Sequence, residues 1–140
     1  MASVIFNAFK QKLMVGECDL DTHVFNVALL TGSFVPNIDT MTVWTDTGVS
    51  SNEITGVAYV TGGTVLAGMT VTLNTSTDKA ILDANDVTWA SSTITARYVA
   101  IYKAVAPQWL VAAFDFGADK SSNAGDFTVQ WNASGIMDLT

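Results

Sequence analysis

The residues best suited to chemistry in this chain lie around its single histidine and its single cysteine. Glu17, Asp19 and Asp21 alternate just before His23, and Cys18 lies among them. An imidazole beside carboxylates could act as a general base, and carboxylates at this spacing could hold a hard cation. A calcium loop also needs a tight-turn glycine and a bidentate acid at a fixed offset, and this segment has neither. We therefore interpret His23 as structural, and we expect no catalytic residue and no metal site.

Two other segments have the look of ligand-binding motifs. The acidic segment DAND at residues 83–86 is similar in composition to a calcium loop, but no glycine and no distal glutamate follow at the required offset. Gly62 and Gly63 could belong to a phosphate loop, which would need a lysine and a following helix; the sequence continues instead as extended chain. We interpret both segments as turns between strands and expect no cofactor.

The composition bears on the class of partner. Charged residues make up only 14% of the chain, the net charge is −7, and the six Lys and Arg residues are scattered. Binding to phosphates needs clustered cations, so we expect no nucleic-acid partner. The longest apolar runs are far shorter than a membrane-spanning helix, so we expect no membrane partner either. The low charge favours a homo-oligomer, in which a second copy covers part of the apolar surface.

The elements that would position these residues are mostly strands. Apolar residues at helical spacing predict a helix over residues 3–15, with Ser3 as its cap and Gly16 at its end. A long loop insertion is expected over residues 32–52. Short apolar or alternating runs predict strands at residues 23–31, 54–61, 69–74, 79–82, 87–90, 94–103, 109–116, 127–131 and 136–139. The predicted fold is all-β: a single domain over residues 1–140, forming a two-sheet antiparallel sandwich or flattened barrel of about eight strands with a short N-terminal helix.

Two of these strands carry most information. Residues 94–103 alternate between apolar and polar side chains, as expected where one sheet face is buried. Residues 109–116 are apolar on both faces, as expected of a central strand between packed layers or of one that a partner covers. In the second case three protomers around a threefold axis could cover much of this surface.

Aromatic residues at strand spacing are expected mainly in the core. Trp44 is the exception, because it falls in the predicted loop, and we expect it to anchor an interface. The N-terminal segment and the loop have little sheet of their own on which to bury large side chains. The residues predicted to contact a partner are Val4, Ile5, Phe6, Phe9, Phe34 and Trp44.

Several segments of this chain, taken in their order along the sequence, resemble those of small virion proteins of tailed bacteriophages. The resemblance covers nearly the whole chain, and its most specific segments are EITGVAYVTGG at residues 53–63 and DVTWASSTITARYVAIY at residues 86–102. None of these segments is catalytic. The resemblance implies an accessory structural protein of the particle rather than an enzyme.

Within that family we expect a capsid decoration or cement protein in the virion, bound in many copies to the major capsid protein and to copies of itself. A neck or tail component is the alternative within the particle. A carbohydrate-binding module on the particle surface, using Trp44 or another exposed aromatic residue, is the alternative from a different class.

Overall fold

The computed structural model describes residues 2–140 of the chain, so Met1 of the predicted domain lies outside the described residues. The described residues form ten strands in three antiparallel sheets and one α-helix, which confirms the predicted all-β, sandwich-like class. The elements are β1 (Ala2–Ile5), α1 (Asn7–Met14), β2 (Phe25–Leu30), β3 (Thr64–Val65), β4 (Thr70–Asn74), β5 (Lys79–Asp83), β6 (Val87–Ser92), β7 (Thr95–Lys103), β8 (Leu110–Ser121), β9 (Gly125–Val129) and β10 (Met137–Leu139).

The main sheet has five strands in the order β1-β8-β7-β2-β3. Its centre is buried on both faces, because successive side chains of a strand point to opposite sides. In β2, for example, Val27 and Leu29 belong to one buried cluster, whereas Ala28 and Leu30 belong to the other. The main sheet is therefore the middle layer of the molecule.

Different parts of the chain cover the two faces. One face packs against α1 and the two-stranded sheet β6-β9, whose buried residues include Trp89 and Phe127. The other face packs against the loop segment 32–52, which contributes Phe34, Trp44 and Val49. The prediction of a long loop over these residues is confirmed, apart from a short 3₁₀ helix at Ser50–Asn52. The loop segment thus forms a packed layer over this face of the main sheet.

Strand β8 shows why the run from residue 109 to residue 114 is apolar on both faces. Val111 and Phe114 face the cluster that holds α1, and Leu110 and Ala113 face the loop segment. The residues from Leu110 to Phe114 are all buried within the chain itself. The interpretation as a central strand between packed layers is confirmed, so this strand gives no reason to expect a partner.

The N-terminal prediction is partly wrong, because the first residues form a strand. Ser3 lies opposite Phe114 in β8, so it does not cap a helix. The helix begins only at Asn7, after Phe6 in an extended conformation. Gly16 follows the end of the helix with a positive φ of 79°, as expected at a helix terminus. The helical spacing does indicate a helix at Asn7–Met14. Residues 2–5, which precede that helix, pair instead with the edge of β8.

The predicted strand at residues 54–61 is also wrong. This segment makes only one isolated bridge, between Val57 and Thr93, and Ala58 has a positive φ of 65°, which interrupts any regular strand. Side chains fix it instead. The hydroxyl of Tyr59 donates to Glu53 Oε1 at 2.8 Å and accepts from the Leu29 backbone N–H at 3.0 Å. Burial raises the pKa of Tyr59, so the hydroxyl keeps its proton.

Candidate interaction surface

The third sheet, β10-β5-β4, has one strongly apolar face. The pairing register places Val71, Leu82 and Met137 in one row across the three strands. The next row of the same face contains Leu73, Ala80 and Leu139. Cross-strand partners share a sheet face, so six apolar side chains lie together there. A small sheet of this kind needs a covering layer.

Helix α1 covers only part of that face. Phe9 and Leu13 of the helix, together with Ile5 and Leu20, line a groove of about 320 Å³ against the sheet. Leu82, at the centre of the face, is buried. The outer side chains are not, since Leu73 is 76% exposed and Leu139 is 65% exposed. The face is therefore half covered by the helix and half open.

Charged groups are confined to the rim of this groove. Asp138 pairs with Lys79 at 2.9 Å, so its charge is compensated by a neighbour. The ammonium of Lys10 donates to Asn7 Oδ1 at 2.9 Å. The walls themselves are apolar, a lining that suits apolar side chains of a partner. We call this groove, with the exposed residues Val71, Leu73 and Leu139 at its mouth, the helix-sheet groove.

The acidic segment around His23 forms a turn. The Asp19 backbone N–H donates to His23 Nδ1 at 3.0 Å, and Asp19 Oδ1 accepts from the backbone N–H groups of Asp21 and Thr22. Across residues 2–140, no group of three or more His, Cys, Asp or Glu side chains is arranged to hold a metal ion. These contacts close a loop between α1 and β2.

Cys18 is buried among the core side chains. Burial is the main influence on its thiol and raises the pKa of Cys18 to about 11. The thiolate is the reactive form, so this side chain is protonated and unreactive at neutral pH.

The segment DAND at residues 83–86 holds the end of the chain in place. The backbone N–H of Trp131 donates to Asp86 Oδ1 at 2.9 Å, and the Trp131 indole N–H donates to the Asn85 carbonyl at 3.0 Å. These bonds lie between segments far apart in sequence, so the pattern of acidic residues gave no sign of them. The segment is a turn, and it also anchors the residues that follow β9.

The two glycines at residues 62 and 63 allow close backbone packing. A Cβ on Gly63 would lie only 1.9 Å from the Val27 carbonyl oxygen, so a larger residue cannot fit. The hydroxyl of Tyr102 donates to the Gly62 carbonyl at 2.6 Å. The glycines therefore serve the pairing of β3 with β2.

The predicted exposure of the interface residues is wrong for four of the six. Phe6, Phe9, Phe34 and Trp44 are buried within the single chain. Trp44 is only 6% exposed, and its ring stacks on Tyr102 at a centroid distance of 4.4 Å. The loop does have a sheet on which to bury its aromatic residues, because it folds back over the main sheet. Val4 and Ile5 are half-buried, and of the six predicted residues Ile5 and Phe9 line the helix-sheet groove.

The exposed residues of the helix-sheet groove were not singled out from the sequence. Val71 and Leu73 were visible as the apolar half of an alternating strand. Their openness follows from the position of β4 at the edge of a small sheet, and alternation alone cannot show that.

No family model, curated protein or solved structure matches this chain. Within residues 2–140, no helix has both the length and the apolar character needed to cross a membrane.

Proposed function

We propose that this protein is a structural component of a tailed-phage particle, a capsid decoration or cement protein. In this role many copies sit on the outside of the head shell and contact the major capsid protein. The resemblance of residues 53–63 and 86–102 to phage virion proteins supports a location in the phage particle. The helix-sheet groove provides a surface suited to such a contact.

The observation that carries the proposal is the half-covered apolar face of β10-β5-β4. Leu73 and Leu139 are largely exposed although they lie in the row next to that of the buried Leu82. Burying apolar surface stabilises a contact by about 25 cal/mol per Å², so covering this face would favour binding. An apolar segment of a capsid protein that enters the groove would complete the missing layer. The groove walls offer apolar contacts rather than an arrangement of polar groups around a substrate.

A neck or tail component would use the same kind of surface, so the choice between head and tail depends on which particle part binds. The carbohydrate-binding alternative loses its main residue, because Trp44 stacks on Tyr102 inside the chain. All the aromatic rings of residues 3–140 are buried or half-buried. A sugar-stacking platform needs an open ring face, so we do not pursue this alternative.

Co-sedimentation with phage heads that lack this protein tests the proposal. Leu139→Asp places a charge at the mouth of the groove, and Val105→Asp is the matched control. The two side chains have nearly equal exposure, 65% for Leu139 and 66% for Val105, and Val105 lies in the connection between β7 and β8. Both changes should therefore have little effect on folding.

We expect the wild type and Val105→Asp to sediment with heads, and Leu139→Asp to bind at least about tenfold more weakly. Purified tails provide the second arm of the experiment. Binding to tails and not to heads would overturn the decoration role in favour of the tail component. Equal binding of both variants to heads would show that the helix-sheet groove is not the contact.

A further inference from the structure

Strand β4 is an open sheet edge without charged residues. It lies at one end of β10-β5-β4 and pairs only with β5 among the described strands. Its residues Thr70, Val71, Thr72 and Leu73 are all exposed. The whole stretch from residue 54 to residue 77 contains no Asp, Glu, Lys, Arg or His. Sheet edges are usually protected by charges, prolines or covering loops, and β4 has none of these protections.

The sequence of β4 is complementary to itself in the antiparallel direction. Its residues read Thr-Val-Thr-Leu-Asn, so polarity is symmetric about the central Thr72. Antiparallel pairing of two copies about Thr72 places Val71 of each copy opposite Leu73 of the other. Both residues lie on the apolar face, because their β5 partners are Leu82 and Ala80. Each copy would thus cover exposed apolar side chains of the other.

We propose that β4 is a self-association edge, through which two copies of this chain form a twofold dimer. The two small sheets join into one six-stranded sheet in the order β10-β5-β4-β4-β5-β10. Pairing of this kind is isologous, since the same residues are used on both sides. The uncharged edge matters because each chain already carries a net charge of −7, so the two copies repel one another, and an acidic residue at the central position 72 would in addition face its own copy.

This contact gives a dimer rather than the threefold arrangement that the sequence suggested. It does not depend on the capsid role, because the purified protein alone is sufficient to form it. Leu139 lies on β10, at the far side of the small sheet from β4, so the variant that tests the helix-sheet groove leaves this edge intact.

Charge substitutions at Thr72 test the pairing directly. In Thr72→Lys, two ammonium groups would face each other across the twofold axis, and like charges directly opposite one another destabilise a strand pair. Thr72→Glu introduces the same problem with carboxylates. Thr77→Lys, in the turn after β4, is a control with the same change in net charge as Thr72→Lys. Thr72 is exposed and lies opposite Ile81 of β5, so the monomer should tolerate either substitution.

Sedimentation equilibrium over a range of concentrations provides the readout. We expect the wild type and Thr77→Lys to approach twice the 14.9 kDa chain mass, and each Thr72 variant to dissociate about fivefold or more readily. An equimolar mixture of Thr72→Lys and Thr72→Glu should recover the dimer, because opposite charges then meet. A wild type that stays monomeric at millimolar concentration, a trimer, or a mixture that fails to recover the dimer would overturn the proposal.

Discussion

Asp46 stabilises the middle of the loop segment 32–52. One of its carboxylate oxygens accepts from the Thr42 backbone N–H at 2.6 Å, the Thr42 hydroxyl at 3.0 Å and the Val43 backbone N–H at 3.0 Å. Burial alone would raise the pKa of Asp46, but these hydrogen bonds outweigh it, and the pKa lies below the ordinary 3.8. The charged form is therefore favoured in the folded state. Asp46 contributes stability above the unfolded pKa, and this contribution is lost as the pH falls through the folded pKa.

We expect Asp46→Asn to lower the free energy of unfolding at pH 7 by about 1 kcal/mol, because charge-assisted hydrogen bonds are weakened. The difference from the wild type should shrink as the pH falls below 3.8, where the wild-type carboxyl also becomes neutral. Urea unfolding at neutral and acidic pH measures both effects. Asp78→Asn is a suitable control, since Asp78 is exposed in the turn between β4 and β5. A difference that grows in acid would contradict this account of Asp46.

At the scale of elements, the loop segment 32–52 acts as a third layer over the main sheet. Phe34, Trp44 and Val49 fill one buried cluster together with Tyr102 of β7. The Trp44 and Tyr102 rings are stacked with an interplanar angle of only 6°. The aromatic residues of the loop segment cover this face of the main sheet, as a second sheet would in a simple sandwich. Trp44 should therefore matter for folding rather than for partner binding.

We expect Trp44→Ala to lower the free energy of unfolding by about 3 to 5 kcal/mol, as for other large buried aromatic residues. Val35→Ala is the control in the same loop, because Val35 is 74% exposed and should have little effect. Urea denaturation gives the two values. A stable Trp44→Ala protein with weakened head binding would support the original interpretation of this residue as an interface anchor.

The sequence predicts those elements whose burial pattern is local. Strands β7 and β8 were recognised because alternation or continuous apolar character shows directly in the chain. The strand β1 was missed, because its pairing with β8 joins residues more than a hundred positions apart. The segment 54–61 is predicted as a strand because nothing in its sequence signals the positive φ of Ala58. A glycine or an asparagine at position 58 would have been such a signal.

The helix-sheet groove is likewise beyond a local reading of the sequence. It depends on the pairing of Leu139 with Ala80 and on the docking of α1 over only part of the small sheet. Hydrophobic periodicity shows that these residues are apolar, but it does not show which of them remain uncovered. Sequence reasoning therefore places the partner contact on four aromatic residues together with Val4 and Ile5, whereas the exposed residues at the mouth of the groove are Val71, Leu73 and Leu139.

At the scale of the whole molecule, most of the apolar side chains are covered by the chain itself. The main sheet is packed on both faces, so the low charged fraction does not by itself require a partner. The remaining exposed apolar side chains include Leu73 and Leu139 at the mouth of the helix-sheet groove, together with Val71 on the open edge β4. Contiguous exposed apolar surface of this kind is typical of interaction sites. The proposed dimer and the proposed capsid contact share Val71 and Leu73 at the mouth of the groove, whereas Leu139 belongs to the proposed capsid contact alone.

The central claim is that this protein decorates the head of a phage particle. Electron cryo-microscopy of the intact particle tests it most directly, because it reports both position and copy number. The account predicts density of this fold in many symmetry-related copies on the outside of the head, with the helix-sheet groove facing the major capsid protein. Density on the neck or tail alone, or a particle without this protein, would contradict it.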